Sequence, residues 1–142
     1  NLFKTFTIAD FYFAKSLIFA QANLEVDEYA LYEKLFQTLY NALPPPDLYV
    51  YLHLSPPNLL KNIKKRGRNY EQSISLSYLE KIEQAYFKFF ERHKNCKFLI
   101  IDTNDIDFVH NTHHYEQIFR SILSTSYKNG ITKISLSQNQ IQ

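Results

Sequence analysis

The sequence predicts an α/β fold, a parallel sheet flanked by helices. Three observations carry the prediction. Residues 47–54 (DLYVYLHL) and 96–102 (CKFLIID) are short runs whose two alternating faces are both apolar or aromatic, the pattern of strands covered on both sides. Segments of helical periodicity lie between and around them, and strands alternating with helices imply right-handed crossovers and parallel pairing. Finally, 142 residues with 45% hydrophobic content suffice for one domain with a buried core.

Taken in order, residues 3–8 carry the β-branched and aromatic residues of a short strand. Asp10 is placed to cap a largely apolar helix over residues 11–24, in which Lys15 and Ser16 are the polar exception. A second helix is expected from Asp27, with Val26 and Leu31 as a hydrophobic staple. Its buried stripe would be Leu31, Leu35 and Leu39, and Pro44, Pro45 and Pro46 end it. After the strand at 47–54, Ser55-Pro56 reads as a helix start. The short helix that follows turns Leu59, Leu60 and Ile63 inward. Ser77 and Glu80 form a capping-box pair for a long helix to about residue 93, with a stripe of Leu79, Ile82, Tyr86 and Phe89. The strand at 96–102 runs into the loop Thr103-Asn104-Asp105. A last helix, over about residues 112–126, would bury Tyr115, Ile118, Phe119 and Ile122. The ITKISL tail is readable as an edge strand or as disorder.

Composition narrows the function. A net charge of +2 is too small for bulk binding to a nucleic-acid polymer, so any anion site is local. Single-strand stacking is set aside because the Tyr and Phe residues fall at core positions of helices and strands. One cysteine, Cys96, excludes an internal disulfide framework and fits a reducing compartment. No apolar run reaches the ~18 residues of a membrane span, and no signal-peptide pattern opens the chain. The expectation is a soluble cytoplasmic protein with no membrane partner. The chain begins without Met, as a fragment or processed product does.

The chemistry concentrates in KNIKKRGRNYEQ, residues 61–72. Lys61, Lys64, Lys65, Arg66 and Arg68 are cationic, one glycine parts the two arginines, and Glu71 follows three residues later. Arginine offers a planar fork of donors that fits phosphate oxygens in pairs. Gly67 permits the bend that lets both forks converge on one anion. Glu71 repels phosphate but can accept a hydrogen bond from a hydroxyl, such as one on a sugar. The same run also suits a solvated helix end that complements the macrodipole. His110, His113 and His114 offer helical spacing for zinc but lack further partners at suitable positions, and no metal site is assigned. His53 reads as a satisfied core or interface histidine.

From Pro46 to Ile82, and above all in RGRNYEQ followed by YLEKI, the sequence resembles the deoxynucleoside kinase family, which includes deoxycytidine, deoxyguanosine and deoxyadenosine kinases. The resemblance extends more weakly over most of the chain. It implies a P-loop kinase-like fold and transfer of the γ-phosphate of ATP, with Mg2+, to the 5′-hydroxyl of a deoxynucleoside. It implies that Arg66 and Arg68 are lid arginines closing over the phosphates, and that Glu71 bonds the sugar 3′-hydroxyl. Phe19 matches the aromatic that packs on the nucleobase, though a core aromatic is an equal reading. Lys15 falls near the base-recognition position, and Asp107 and Phe108 match the loop against the donor's base. A homodimer is implied as well.

The family's Gly-rich phosphate loop does not occur, since Gly67 and Gly130 are the two glycines present. The resemblance therefore implies one partial kinase domain over residues 1–142, with a lid over about 61–76, lacking the N-terminal P-loop unit and general base, about a third of a kinase. Where the family carries an acidic-Arg-Ser motif, this chain reads Ala9-Asp10-Phe11. Two rivals follow: a non-catalytic kinase half serving as a dimerisation or interaction module, and another arginine-lid kinase of thymidylate kinase type.

Overall fold

Helical periodicity in the first forty residues resolves into α1 (Ala14–Asn23) and α2 (Val26–Tyr40). The computed structural model describes residues 7–10, 12–40, 42–123 and 126–136. The chain divides into two compact units, Asn1–Pro44 and Pro45–Gln142. Of the strand expected over 3–8, residues 3–6 lie outside the described residues, and 7–9 form no regular element. Phe11 also lies outside them.

In the first unit, α1 buries Ala14, Leu17, Ile18 and Ala22. Its N-cap is Phe13, without a side-chain bond, so Asp10 is not the cap that the sequence suggested. The larger correction concerns α2. Leu31, Leu35 and Leu39 are 71%, 55% and 61% exposed. The half-buried face instead carries Tyr29, Tyr32, Phe36 and Tyr40, with Phe13 stacked on Tyr40 at 4.4 Å between centroids. Val26 is exposed as well, so no staple forms. The Glu25 N–H donates instead to Glu28 Oε2 at 3.1 Å, which supplies half of a capping box. A hydrogen bond from the Tyr12 hydroxyl to the Pro44 carbonyl, 3.3 Å, ties the two ends of this unit together.

The second unit holds β1 (Tyr49–His53), α3 (Pro56–Arg66), α4 (Leu76–Arg92), β2 (Lys97–Asp102), α5 (Thr112–Leu123) and β3 (Gly130–Ser135). The strands are parallel in the order β1-β2-β3, so the ITKISL segment is an edge strand. Register puts Tyr49, Phe98 and Ile131, and likewise Tyr51, Ile100 and Lys133, on one face. That face meets α4 through an aromatic layer. Tyr51 stacks on Tyr86 at 4.9 Å, Phe90 lies 4.7 Å from Phe98, and the Lys133 ammonium sits over the Phe87 ring. On the other face Leu99, Ile101 and Ile118 of α5 form a core, joined by Ile106, Phe108, Ile122 and Ile134. Full burial of such side chains stabilises by about 1.5–3 kcal/mol each.

Four expectations change here. Val50 and Leu52 are partly exposed, so β1 is not covered on both faces in this unit. On α5 Tyr115 and Phe119 are exposed, while His114 is buried beside Ile118. Helix α4 is capped by Ser75, whose Oγ accepts from the Tyr78 N–H at 3.1 Å, and not by Ser77. Leu59 of α3 is also exposed, whereas Pro56 and Ile63 are buried. No helix among the described residues is long and apolar enough to cross a membrane.

Candidate functional site: two arginines and a glutamate after helix α3

Helix α3 delivers the basic run because its two ends are sharply defined. Ser55 occupies the N-cap position, and Pro56 and Pro57 fill the first turn, where a missing N–H costs nothing. At the other end Gly67 adopts φ +72°, and its N–H reaches the Ile63 carbonyl at 3.3 Å. A left-handed cap of this kind favours glycine. The last turn carries Lys64, Lys65 and Arg66, so the macrodipole reading also describes this helix end. Beyond Gly67 the chain makes a 3-10 turn over Asn69–Glu71.

This turn brings Arg66, Arg68 and Glu71 together. Arg66 donates from Nε and Nη2 to Glu71 Oε2, at 3.0 and 2.5 Å. Arg68 Nη1 lies 3.5 Å from Glu71 Oε1 and donates to the Tyr70 hydroxyl at 3.2 Å. The Arg68 guanidinium is held above its ordinary pKa, first by the Tyr70 hydroxyl and then by Glu71. The Glu71 side chain is 12% exposed, against 50% and 52% for the two arginines. Both forks therefore converge on one anion, and that anion is the chain's own carboxylate. Lys64 Nζ donates to the Gln72 carbonyl at 3.4 Å, closing the turn back onto α3.

The carboxyl ends of β1 and β2 are clasped to each other. The Thr103 N–H and hydroxyl both donate to the His53 carbonyl, at 2.9 and 2.8 Å. Asn104 Oδ1 accepts from the Ser55 N–H and from Asn58 Nδ2, both at 3.0 Å, so a loop 49 residues away caps α3. Two further bonds, from Asn104 N–H and Nδ2, reach Asp102 Oδ1 at 2.9 and 2.8 Å and hold the Asp102 carboxyl below its ordinary range. His53 Nε2 pairs with Glu83 of α4 at 2.7 Å. Of these partners, Asn104 was legible only as a loop residue, and Glu83 carried no signal at all.

Asp107 and Phe108 follow that clasp. The Asp107 carboxylate accepts from the Val109 and His110 N–H groups at 3.1 and 3.0 Å and pairs with His110 Nδ1. Its pKa is lowered, chiefly by the His110 backbone N–H. The Asp107 N–H donates to Nδ1 of buried His114 at 3.0 Å. Phe108 packs against the Leu99, Ile101 and Ile118 core. In the first unit, Lys15 and Phe19 lie four residues apart on α1, which places them on one face. Lys15 is exposed and Phe19 half-buried.

The model of the deoxynucleoside kinase family matches residues 4–126. The chain is 36% identical to a deoxyguanosine kinase of Bacillus subtilis (strain 168) over 115 residues, 78% of this chain and 56% of that protein. It is 41% identical to a deoxyadenosine kinase of Dictyostelium discoideum over 68 residues, 48% of this chain and 28% of that one. A deoxyadenosine/deoxycytidine kinase of Bacillus subtilis is 29% identical over 104 residues, covering 72% and 48%. The chain thus spans about half, or less, of the length of these curated relatives. A parallel α/β sheet and a family match over most of the sequence lead to one assignment: the chain belongs to the deoxynucleoside kinase family.

Proposed function

We propose that this chain carries the phosphate lid and part of the nucleoside site of a kinase that transfers the γ-phosphate of ATP to the 5′-hydroxyl of a deoxynucleoside. The observation that carries the reading is the convergence of Arg66 and Arg68 on a single anion at the glycine-capped end of α3. In the proposed reaction the two guanidiniums neutralise charge on the phosphoryl group in flight. Glu71 accepts from the sugar 3′-hydroxyl, Phe19 and Lys15 face the base, and Asp107 and Phe108 border the base of the donor. Closing the lid excludes water and completes the site only when substrate is present.

Among the described residues no group of three His, Cys, Asp or Glu side chains converges to hold a metal ion, so no step is assigned to Mg2+ through this chain. Relatives named for deoxyguanosine and deoxyadenosine make those two purines the first acceptors to assay. The reading also expects a cytoplasmic homodimer, which light scattering on the purified protein measures.

The test is a coupled assay of ADP release with the four deoxynucleosides, run beside intact mass spectrometry of the sample. Release that depends on a deoxynucleoside supports the proposal. Release that depends only on a nucleoside monophosphate would replace it with a thymidylate kinase-type activity. No release from a protein whose mass includes an upstream phosphate loop would leave a non-catalytic module. In the active enzyme Arg66→Ala should lower kcat by about 100-fold or more, the scale of losing a transition-state donor, while nucleoside affinity changes little. Unchanged turnover would remove Arg66 from the lid role.

A further inference from the structure

We propose that Glu71 is a resident competitor for the lid arginines, an internal anion that phosphate must displace before the lid can work. The inference rests on the kinase reading only for the identity of the second ligand, the nucleoside sugar.

Carboxylate and phosphate oxygens compete for the same guanidinium donors, since both match the arginine fork. In this structure part of each fork is already engaged. Arg66 spends Nε and Nη2 on one Glu71 oxygen, and Arg68 Nη1 faces the other while also bonding Tyr70. The carboxylate lies beneath the arginines, 12% exposed under side chains that are half exposed. A phosphate arriving from solvent meets guanidiniums already engaged, and a hydroxyl arriving at Glu71 meets a covered carboxylate. Each ligand that captures its partner releases the other partner for use. Binding of the sugar and binding of the phosphate are then positively coupled, and linkage makes the coupling reciprocal. Because the arginines are half exposed, the internal pair is weak, as surface ion pairs are. It keeps the two arginines partly neutralised and yields readily to a polyvalent anion.

The experiment titrates inorganic tripolyphosphate into the chain by calorimetry at low ionic strength. Wild type is compared with Glu71→Gln, Arg66→Ala/Glu71→Gln, and Glu91→Gln, which makes the same charge change at an exposed position of α4. Glu71→Gln should bind tripolyphosphate about two- to fivefold more tightly than wild type, the range set by a weak exposed pair. The gain should vanish when Arg66 is also removed, and Glu91→Gln should not reproduce it. Equal affinity of wild type and Glu71→Gln, no binding by either, or the same gain from Glu91→Gln would overturn the proposal. Repeating the titration with saturating deoxyguanosine separates the two readings. Tighter tripolyphosphate binding in wild type but not in Glu71→Gln supports both. A gain from Glu71→Gln with no response to any deoxynucleoside keeps the competitor and removes the sugar-binding role proposed for Glu71.

Discussion

Asn104 makes four hydrogen bonds with one amide side chain and its own N–H, and two of them end on Asp102. The depressed pKa of Asp102 fixes the sign of its effect on stability. A carboxyl whose folded value lies below its unfolded value, near 3.9, contributes stability that is complete above that value and is lost as pH falls through the folded one. Replacing Asn104 with Ala removes the smaller, Nδ2 share of that contribution, leaves the larger share from the Asn104 N–H in place, and removes the pH-independent bonds to Ser55 and Asn58. Urea unfolding should therefore show a gap between wild type and Asn104→Ala that is widest above about pH 4 and narrows in stronger acid. A gap that grows on acidification would refute the assignment. At this scale the sequence was readable where residue type dictates chemistry. Two arginines flanking a glycine suited either an anion site or a solvated helix end, and the structure brings both onto one carboxylate. Asn104 was hidden because its partners lie 46 and 49 residues away, and nothing local to it reveals them. The occupation of the arginines by Glu71 was hidden for a related reason. The sequence shows that both charges are present but not that they pair.

Each helix terminus isolates one local term. Ser75 and Ser77 are rival caps in the sequence, and only Ser75 bonds a helical N–H, although the two hydroxyls lie 3.0 Å apart. Ser75→Ala should cost about 1 kcal/mol in chemical denaturation and Ser77→Ala much less. The reverse order would restore the capping box at Ser77. Gly67 is a cleaner case, because a methyl group added there would meet nothing within 4 Å. Gly67→Ala should lose about 1 kcal/mol from backbone strain alone. Helix α2 shows where periodicity stops being informative. Its leucines at 31, 35 and 39 and its aromatics at 29, 32, 36 and 40 are two rows at helical spacing. Spacing identifies the helix but does not choose between two apolar faces. The aromatic row turned inward, where Tyr40 stacks with Phe13.

For the molecule as a whole, the alternation of apolar strands and amphipathic helices pointed to parallel topology, because parallel neighbours need a long crossover and helices supply it. The places of β1 and β2 in the sheet were not legible, whereas ITKISL was readable as an edge strand. Residues 47–54 and 96–102 both read as apolar runs, and partners lie far apart in sequence. So β1 proved to border the described sheet with Val50 and Leu52 partly exposed, and a short tail closed the opposite edge. The aromatic layer between α4 and the sheet has an optical consequence. The protein contains 11 tyrosines and no tryptophan, so its near-ultraviolet signal belongs to tyrosine. Tyr51 is pushed well above the ordinary phenol range, first by burial and then by Tyr86 and Glu83, and burial raises Tyr86 as well. A phenol with a raised folded value stabilises fully below its unfolded pKa, near 10, and ceases to do so as pH climbs toward the folded one. Spectrophotometric titration should accordingly show exposed tyrosines ionising first, and Tyr51 only together with unfolding. In Tyr51→Phe that late tyrosinate step should shrink and the midpoint of alkaline unfolding should rise, so that the colour change of one phenol reports the melting of the entire layer.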